Sequence, residues 1–130
     1  MPESNVPIRV FLADDSALIR ARVRVLLEAA GAAVVGQAET PRQCIEAILA
    51  VRPDVVVLDV QLEGGPGLQV LRAVREAAPG VAFVVFSNNS AEAYRKRYLQ
   101  EGALRFLDKA IDSGELAGAV AHAAHHPVSQ

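Results

Sequence analysis

Short runs rich in apolar residues alternate with longer stretches of helical period along the whole of this chain. The runs near Ile8–Ala13, Ala33–Ala38, Val55–Leu58, Val81–Phe86 and Arg105–Leu107 predict β-strands. Apolar residues recurring every three to four positions predict helices near Ala17–Ala29, Pro41–Val51, Leu68–Ala77, Ala91–Gln100 and Ser113–Ala124. Ile19, Val23, Leu26 and Ala30 form the expected inward stripe of the first helix, Ile45, Ile48 and Leu49 that of the second, and Leu71, Val74 and Ala78 that of the third. Helix starts are marked at Thr40-Pro41-Arg42-Gln43, a capping box with proline in the first turn, and at Asp112-Ser113-Gly114-Glu115, which offers the same acceptor three residues before a Glu. Gly31, Pro53, Pro79-Gly80 and Gly102 stand where helices should stop.

Strand and helix in strict alternation predict βα units and a parallel sheet. The third run, VVVLDV, is apolar on both faces, as a central strand covered by helices on each side must be. Right-handed crossovers then give a doubly wound α/β fold of five parallel strands in the order 2-1-3-4-5, with five helices. A chain of 130 residues fits a single domain 1–130, with an ordered core at about 8–124 and short tails, and needs no disulfide or metal merely to fold.

Charge and composition narrow the function. A formal charge of −2 gives no global basic field for nucleic acid. Cys44 is the lone cysteine and reads as a small core residue, not a reactive thiol. No apolar stretch approaches a membrane span, so a cytoplasmic address is expected, with no membrane and no direct nucleic-acid partner.

The chemistry lies where the apolar runs end. IRVFLA runs into Asp14-Asp15, VVVL into Asp59, FVVF into Ser87, and LRFLD into Lys109. In an open parallel sheet these ends share one edge, the edge where ligands bind. Two carboxylates about 4 Å apart repel by roughly 4 kcal/mol at an effective dielectric near 20, so a cation is wanted, and a hard oxygen-seeking ion such as Mg2+ suits the donors. Asp59 offers an oxygen able to attack phosphorus, Ser87 a hydrogen-bond donor, and Lys109 a point charge for a phosphoryl oxygen.

The stretches IRVFLADDS, RPDVVVLDVQL, VVFSNNS and GALRFLDKA resemble, in order and spacing, the motifs of the response-regulator receiver domain, over about Ile8 to Ala124. The resemblance implies a flavodoxin-like fold and a phosphorylation switch. It implies that Asp14, Asp15, Asp59 and the backbone carbonyl of Gln61 hold Mg2+, and that Asp59 accepts a phosphoryl group from a sensor histidine kinase or a histidine phosphotransfer protein. Ser87 and Lys109 are then drawn toward the phosphoryl group, Phe106 turns inward into the vacated space, and Gln61 and Asn89 occupy the family's hydrolysis-tuning positions. A downstream protein target is implied, with Arg95, Lys96, Arg97, Arg105, Tyr94 and Tyr98 on the fourth-helix and fifth-strand face, where receivers signal or form homodimers. Arg20, Arg22 and Arg24 lie on the first helix, which helps dock the phosphodonor.

Three departures stand out. Lys109 is followed by Ala110, where many relatives carry a cis proline, so the lysine loop is expected to differ. Phe106 replaces the frequent tyrosine. Glu63-Gly64-Gly65-Pro66-Gly67 replaces a Pro-Gly-Met-Asp-Gly loop and predicts a more flexible approach to the third helix. The expected product is a stand-alone receiver, a switch more than an enzyme. A receiver excised from a larger regulator or hybrid kinase, a small α/β phosphatase, a flavodoxin-like carrier and a pseudo-receiver remain as alternatives. The phosphatase fits less well, because the haloacid-dehalogenase pattern wants Asp-x-Asp where this chain has adjacent acids. His122, His125 and His126 invite a metal reading, but no carboxylate or cysteine near them completes a tetrahedral set.

Overall fold

The computed structural model describes residues 6–125. Five strands form one parallel sheet: β1 (Arg9–Ala13), β2 (Ala33–Ala38), β3 (Val55–Leu58), β4 (Ala82–Ser87) and β5 (Arg105–Asp108), in the order β2-β1-β3-β4-β5. The helices between and after them are α1 (Ala17–Ala29), α2 (Pro41–Val51), α3 (Gly67–Ala77), α4 (Glu92–Gln100) and α5 (Leu116–His125). This is the expected doubly wound, flavodoxin-like topology.

Alternation along the strands explains the two layers. Val10 and Leu12 of β1, Val55 and Val57 of β3, and Ala82, Val84 and Phe86 of β4 point to one face, where Val23 and Leu27 of α1 and Leu116, Ala119, Val120 and Ala123 of α5 cover them. Phe11, Val56, Leu58, Phe83 and Val85 point to the other, under Cys44 and Ile48 of α2, Val70, Leu71 and Val74 of α3, and Tyr98 of α4. All of β3 is buried, as its two-sided apolar run requires. Burying each valine, leucine or isoleucine among these is worth about 1.5–3 kcal/mol. Cys44 has no exposed surface, and burial pushes its thiol up to about 12, so it is an inert core group.

Helix ends follow local chemistry with two corrections. Ser16 caps α1 by accepting from the Ile19 N–H at 3.2 Å, and Thr40 caps α2 by accepting from Gln43 at 3.1 Å, with Pro41 behind it. Gly31 and Gly102 follow α1 and α4 with φ of 94° and 116°, a conformation cheap only for glycine. At α2 the left-handed position is taken by Arg52, φ 51°, just before Pro53. The first correction is the predicted box at Asp112. Its carboxylate accepts from the Asp108 N–H at 2.9 Å, no side chain caps the turn, and a 3-10 turn at Ser113–Glu115 precedes α5. The second is the α1 stripe. Leu27, one turn after Val23, is buried, whereas Ala30 is exposed because α1 ends at Ala29 and leaves Ala30 as its C-cap, past the packed face.

Candidate functional site

The sheet positions the site through its ladder, which runs one residue past several strand ends. The Asp14 N–H donates to the Ala38 carbonyl (3.2 Å), that of Asp59 to Ala13 (2.9 Å), and that of Lys109 to Ser87 (3.0 Å). Backbone pairing therefore delivers Asp14, Asp59 and Lys109 to neighbouring places on the C-terminal edge, with Ser87 ending β4 beside them.

There the side chains meet. The Lys109 ammonium donates to Asp14 Oδ2 at 2.7 Å and to Asp59 Oδ2 at 3.0 Å, and the three side chains are 7%, 10% and 12% exposed. Carboxylate oxygens of Asp14, Asp15 and Asp59 all lie within 4.8 Å of one another, with Asp15 exposed. Burial pushes the Asp14 carboxyl above its ordinary range, despite hydrogen bonds from Lys109 and from the Ser16 N–H. For Lys109, burial works against the charge, but the bond to Asp14 and the charge of Asp59 outweigh it and hold the ammonium above its usual range. Carboxylates still outnumber the ammonium. A crowded set of hard oxygens around a buried, poorly compensated acid is what a small divalent cation such as Mg2+ fits.

Around this centre, Ser87 is buried, and its Oγ accepts from the Asn89 N–H at 3.0 Å, leaving its own proton to donate. Asn89 itself is exposed. The Gln61 amide nitrogen donates to the Leu62 carbonyl at 3.3 Å and reaches the Gly65 carbonyl at 3.5 Å, along its own loop. That loop corrects an expectation: Gln61–Leu62 pairs with Gly65–Pro66 as a tight antiparallel hairpin, not a loose glycine tract. Gly67 is required by close approach, since a Cβ there would lie 2.0 Å from the Asp59 carbonyl oxygen. After Lys109 no cis peptide occurs among the described residues, and the chain turns instead on Asp108, whose Oδ1 accepts from Ala110 at 2.7 Å.

Phe106 is buried, edge-on to Tyr98 with centroids 6.1 Å apart and with the Arg95 guanidinium 5.3 Å from its ring centre. Other expectations need revision. Tyr98 is no surface partner of Tyr94. It is buried, with its hydroxyl on the Val60 carbonyl at 3.2 Å, while Tyr94 remains 42% exposed. Arg20 turns inward to donate to the Asp14 carbonyl at 2.7 Å and to Gln37 at 2.9 Å, whereas Arg24 pairs with Glu28 on the surface. His126 lies outside the described residues, and among those described the three aspartates are the only cluster suited to a metal.

Sequence reasoning also missed Ser90, whose hydroxyl donates to Asp108 Oδ2 at 2.6 Å and helps hold that carboxyl below its ordinary range. A serine three residues past a strand end carries no pattern that separates it from a solvated turn. Tyr98 left a faint trace: α4 has few apolar residues, so one of its aromatics had to face the core.

Comparison with known proteins agrees with this fold. Response regulator GacA of Pseudomonas aeruginosa is 31% identical over 114 residues, covering 87% of this chain and 53% of the relative. This chain thus spans about half the length of the curated relatives it matches first. A crystal structure of a LuxR-family two-component response regulator from Aurantimonas superposes with a TM-score of 0.88 at 25% identity, covering 96% of this chain and 90% of the other. The CheX-CheY-BeF3-Mg2+ complex from Borrelia burgdorferi shares the fold, with a TM-score of 0.84 at 20% identity over 90% of this chain and 89% of the other. The profile of the response regulator receiver domain matches residues 10–121, and the chain belongs to that family of two-component signalling domains.

Proposed function

We propose that this receiver is a phosphorylation switch whose acceptor is Asp59. The observation that carries the reading is the Lys109 ammonium bridging Asp14 and Asp59 at 2.7 and 3.0 Å beside the buried Ser87 hydroxyl. A carboxylate oxygen of Asp59 attacks the phosphorus of a phosphohistidine on a sensor kinase or phosphotransfer protein. The P–N bond breaks, its electron pair stays on the imidazole nitrogen, and Asp59 becomes an acyl phosphate. Lys109 and Ser87 then turn to the phosphoryl oxygens, with a charge and an O–H donor. Asp14, Asp15, Asp59 and the Gln61 backbone carbonyl would hold Mg2+, which supplies charge neutralisation for the transferring group. Water later attacks phosphorus, releases inorganic phosphate and restores the carboxylate, with Gln61 and Asn89 as the residues that set its rate.

On this reading the chain is one domain with its core near 8–124, it works in the cytoplasm, where histidine kinases make their phosphohistidine, and it acts by contact with a downstream protein. No helix among the described residues is long and apolar enough to cross a membrane. The α4–β5 face is the surface for that contact, or for a homodimer. Incubation with acetyl phosphate and Mg2+ should give one phosphoryl adduct by intact mass, absent in Asp59→Asn. An unmodified mass would favour a pseudo-receiver, and turnover of a free phosphate ester a phosphatase.

A further inference from the structure

Among the residues of α4, Tyr98 is the only one fully buried, so the helix is held to the body chiefly through one side chain. The polar tip of that side chain lands on Val60, the residue after the proposed phosphoacceptor, at 3.2 Å. Val60 is a junction. Its N–H donates to Asp59 Oδ1 at 2.7 Å, and its carbonyl accepts both from Tyr98 and from the Gly67 N–H at the start of α3, the latter at 2.7 Å. Burial pushes the Tyr98 phenol up to about 12, so at neutral pH it is a proton donor. Phe106 stands edge-on against the same ring, itself buried and capped by Arg95.

We propose that Tyr98 is the positioning residue through which α4 follows the state of Asp59, by way of its hydroxyl on the Val60 carbonyl. The proposal rests on the phosphoacceptor reading above. When the Asp59 carboxylate becomes an acyl phosphate, its oxygens lose most of the charge that holds the Val60 N–H. The Val60 peptides then reorient, and the carbonyl that anchors α4 moves with them. A ligand shifts a two-state element only through a difference in interaction between the states, and this bond supplies one. By reciprocity, removing the hydroxyl changes how tightly the phosphoryl state is held.

Beryllofluoride with Mg2+ serves as the phosphoryl probe, read by amide chemical shifts. In the wild type, amides around Asp59 and along Glu92–Gln100 should both move. In Tyr98→Phe, which keeps the ring, the Asp59 region should still respond, the α4 response should fall at least about threefold, and probe affinity should change about fivefold, as expected for one hydrogen bond. A second reading leaves Tyr98 untouched: in Tyr94→Phe it is the remaining tyrosine of the two, and its near-ultraviolet band should shift on adding the probe. An unchanged α4 response in Tyr98→Phe, or an unmoved tyrosine band, overturns the proposal while leaving the phosphoacceptor reading intact. Failure of the wild type to take the probe at all overturns both.

Discussion

The two ends of β3 carry an aspartate each, and they are built for opposite purposes. At the N-terminal edge, Asp54 is exposed and accepts the Arg9 N–H at 2.9 Å, while the Arg9 guanidinium caps the last carbonyls of α2, at Val51 (2.9 Å) and Arg52 (2.7 Å). Every charge there has a partner or water. At the C-terminal edge, Asp59 is nearly buried beside two more acids with one ammonium among them. The first arrangement stabilises the fold, and the second keeps an electrostatic debt that a cation or a phosphoryl group can relieve. One strand thus separates structural charge from chemical charge by its own length.

The largest test removes the ammonium. Lys109→Met leaves two mostly buried carboxylates without their counter-ion, so metal-free stability at neutral pH should fall by about 3 kcal/mol in urea denaturation. Arg9→Met at the other edge should cost only about 1 kcal/mol, through its lost carbonyl bonds. A loss at Arg9 equal to that at Lys109 would break the comparison.

The next test predicts opposite signs. Asp14→Asn relieves repulsion and a desolvated charge, and should raise metal-free stability by about 1 kcal/mol while weakening Mg2+ binding. Asp54→Asn gives up a charge-assisted bond and should lower stability by a similar or smaller amount.

A pH series sharpens the same point. The folded-state pKa of Asp14 is raised, so its protonated form favours folding. Its contribution is fully present below the ordinary value of 3.8 and disappears as pH rises through the folded value. The difference in metal-free stability between wild type and Asp14→Asn should therefore grow with rising pH across that window, then level off. Lys109, also raised, contributes at every pH below its ordinary 10.5 and loses that contribution only in strong alkali. The smallest effect is Glu46→Gln. It breaks an exposed i,i+4 pair with Arg42 and should move stability by less than about 0.5 kcal/mol.

Most of the fold was legible because period-2 and period-3.6 patterns rarely overlap in this chain, and β3 announced its central place by being apolar on both sides. Asp14, Asp59, Ser87 and Lys109 were legible for a related reason. A parallel sheet aligns its strand ends, so residue type at a predicted end is already a coordinate. What escaped was decided by direction rather than position. Leu27 and Ala30 both lie near the α1 stripe, but α1 ends at Ala29 and the chain turns away at Ala30 before it can pack. Asp112 has the right spacing for a cap, yet the Asp108 N–H competes for its carboxylate and wins. Arg20, Tyr98 and Ser90 each bond to groups 6 to 38 residues away, and no local pattern encodes those pairings.

Cys44 has a practical consequence. It is the lone thiol, fully enclosed between α2 and the sheet, so an aromatic disulfide reagent can reach it only when that layer opens. The rate of colour release then clocks the opening of native molecules, without any added label, and its slowing by Mg2+ would report how far the acidic rim steadies the layer beneath α2.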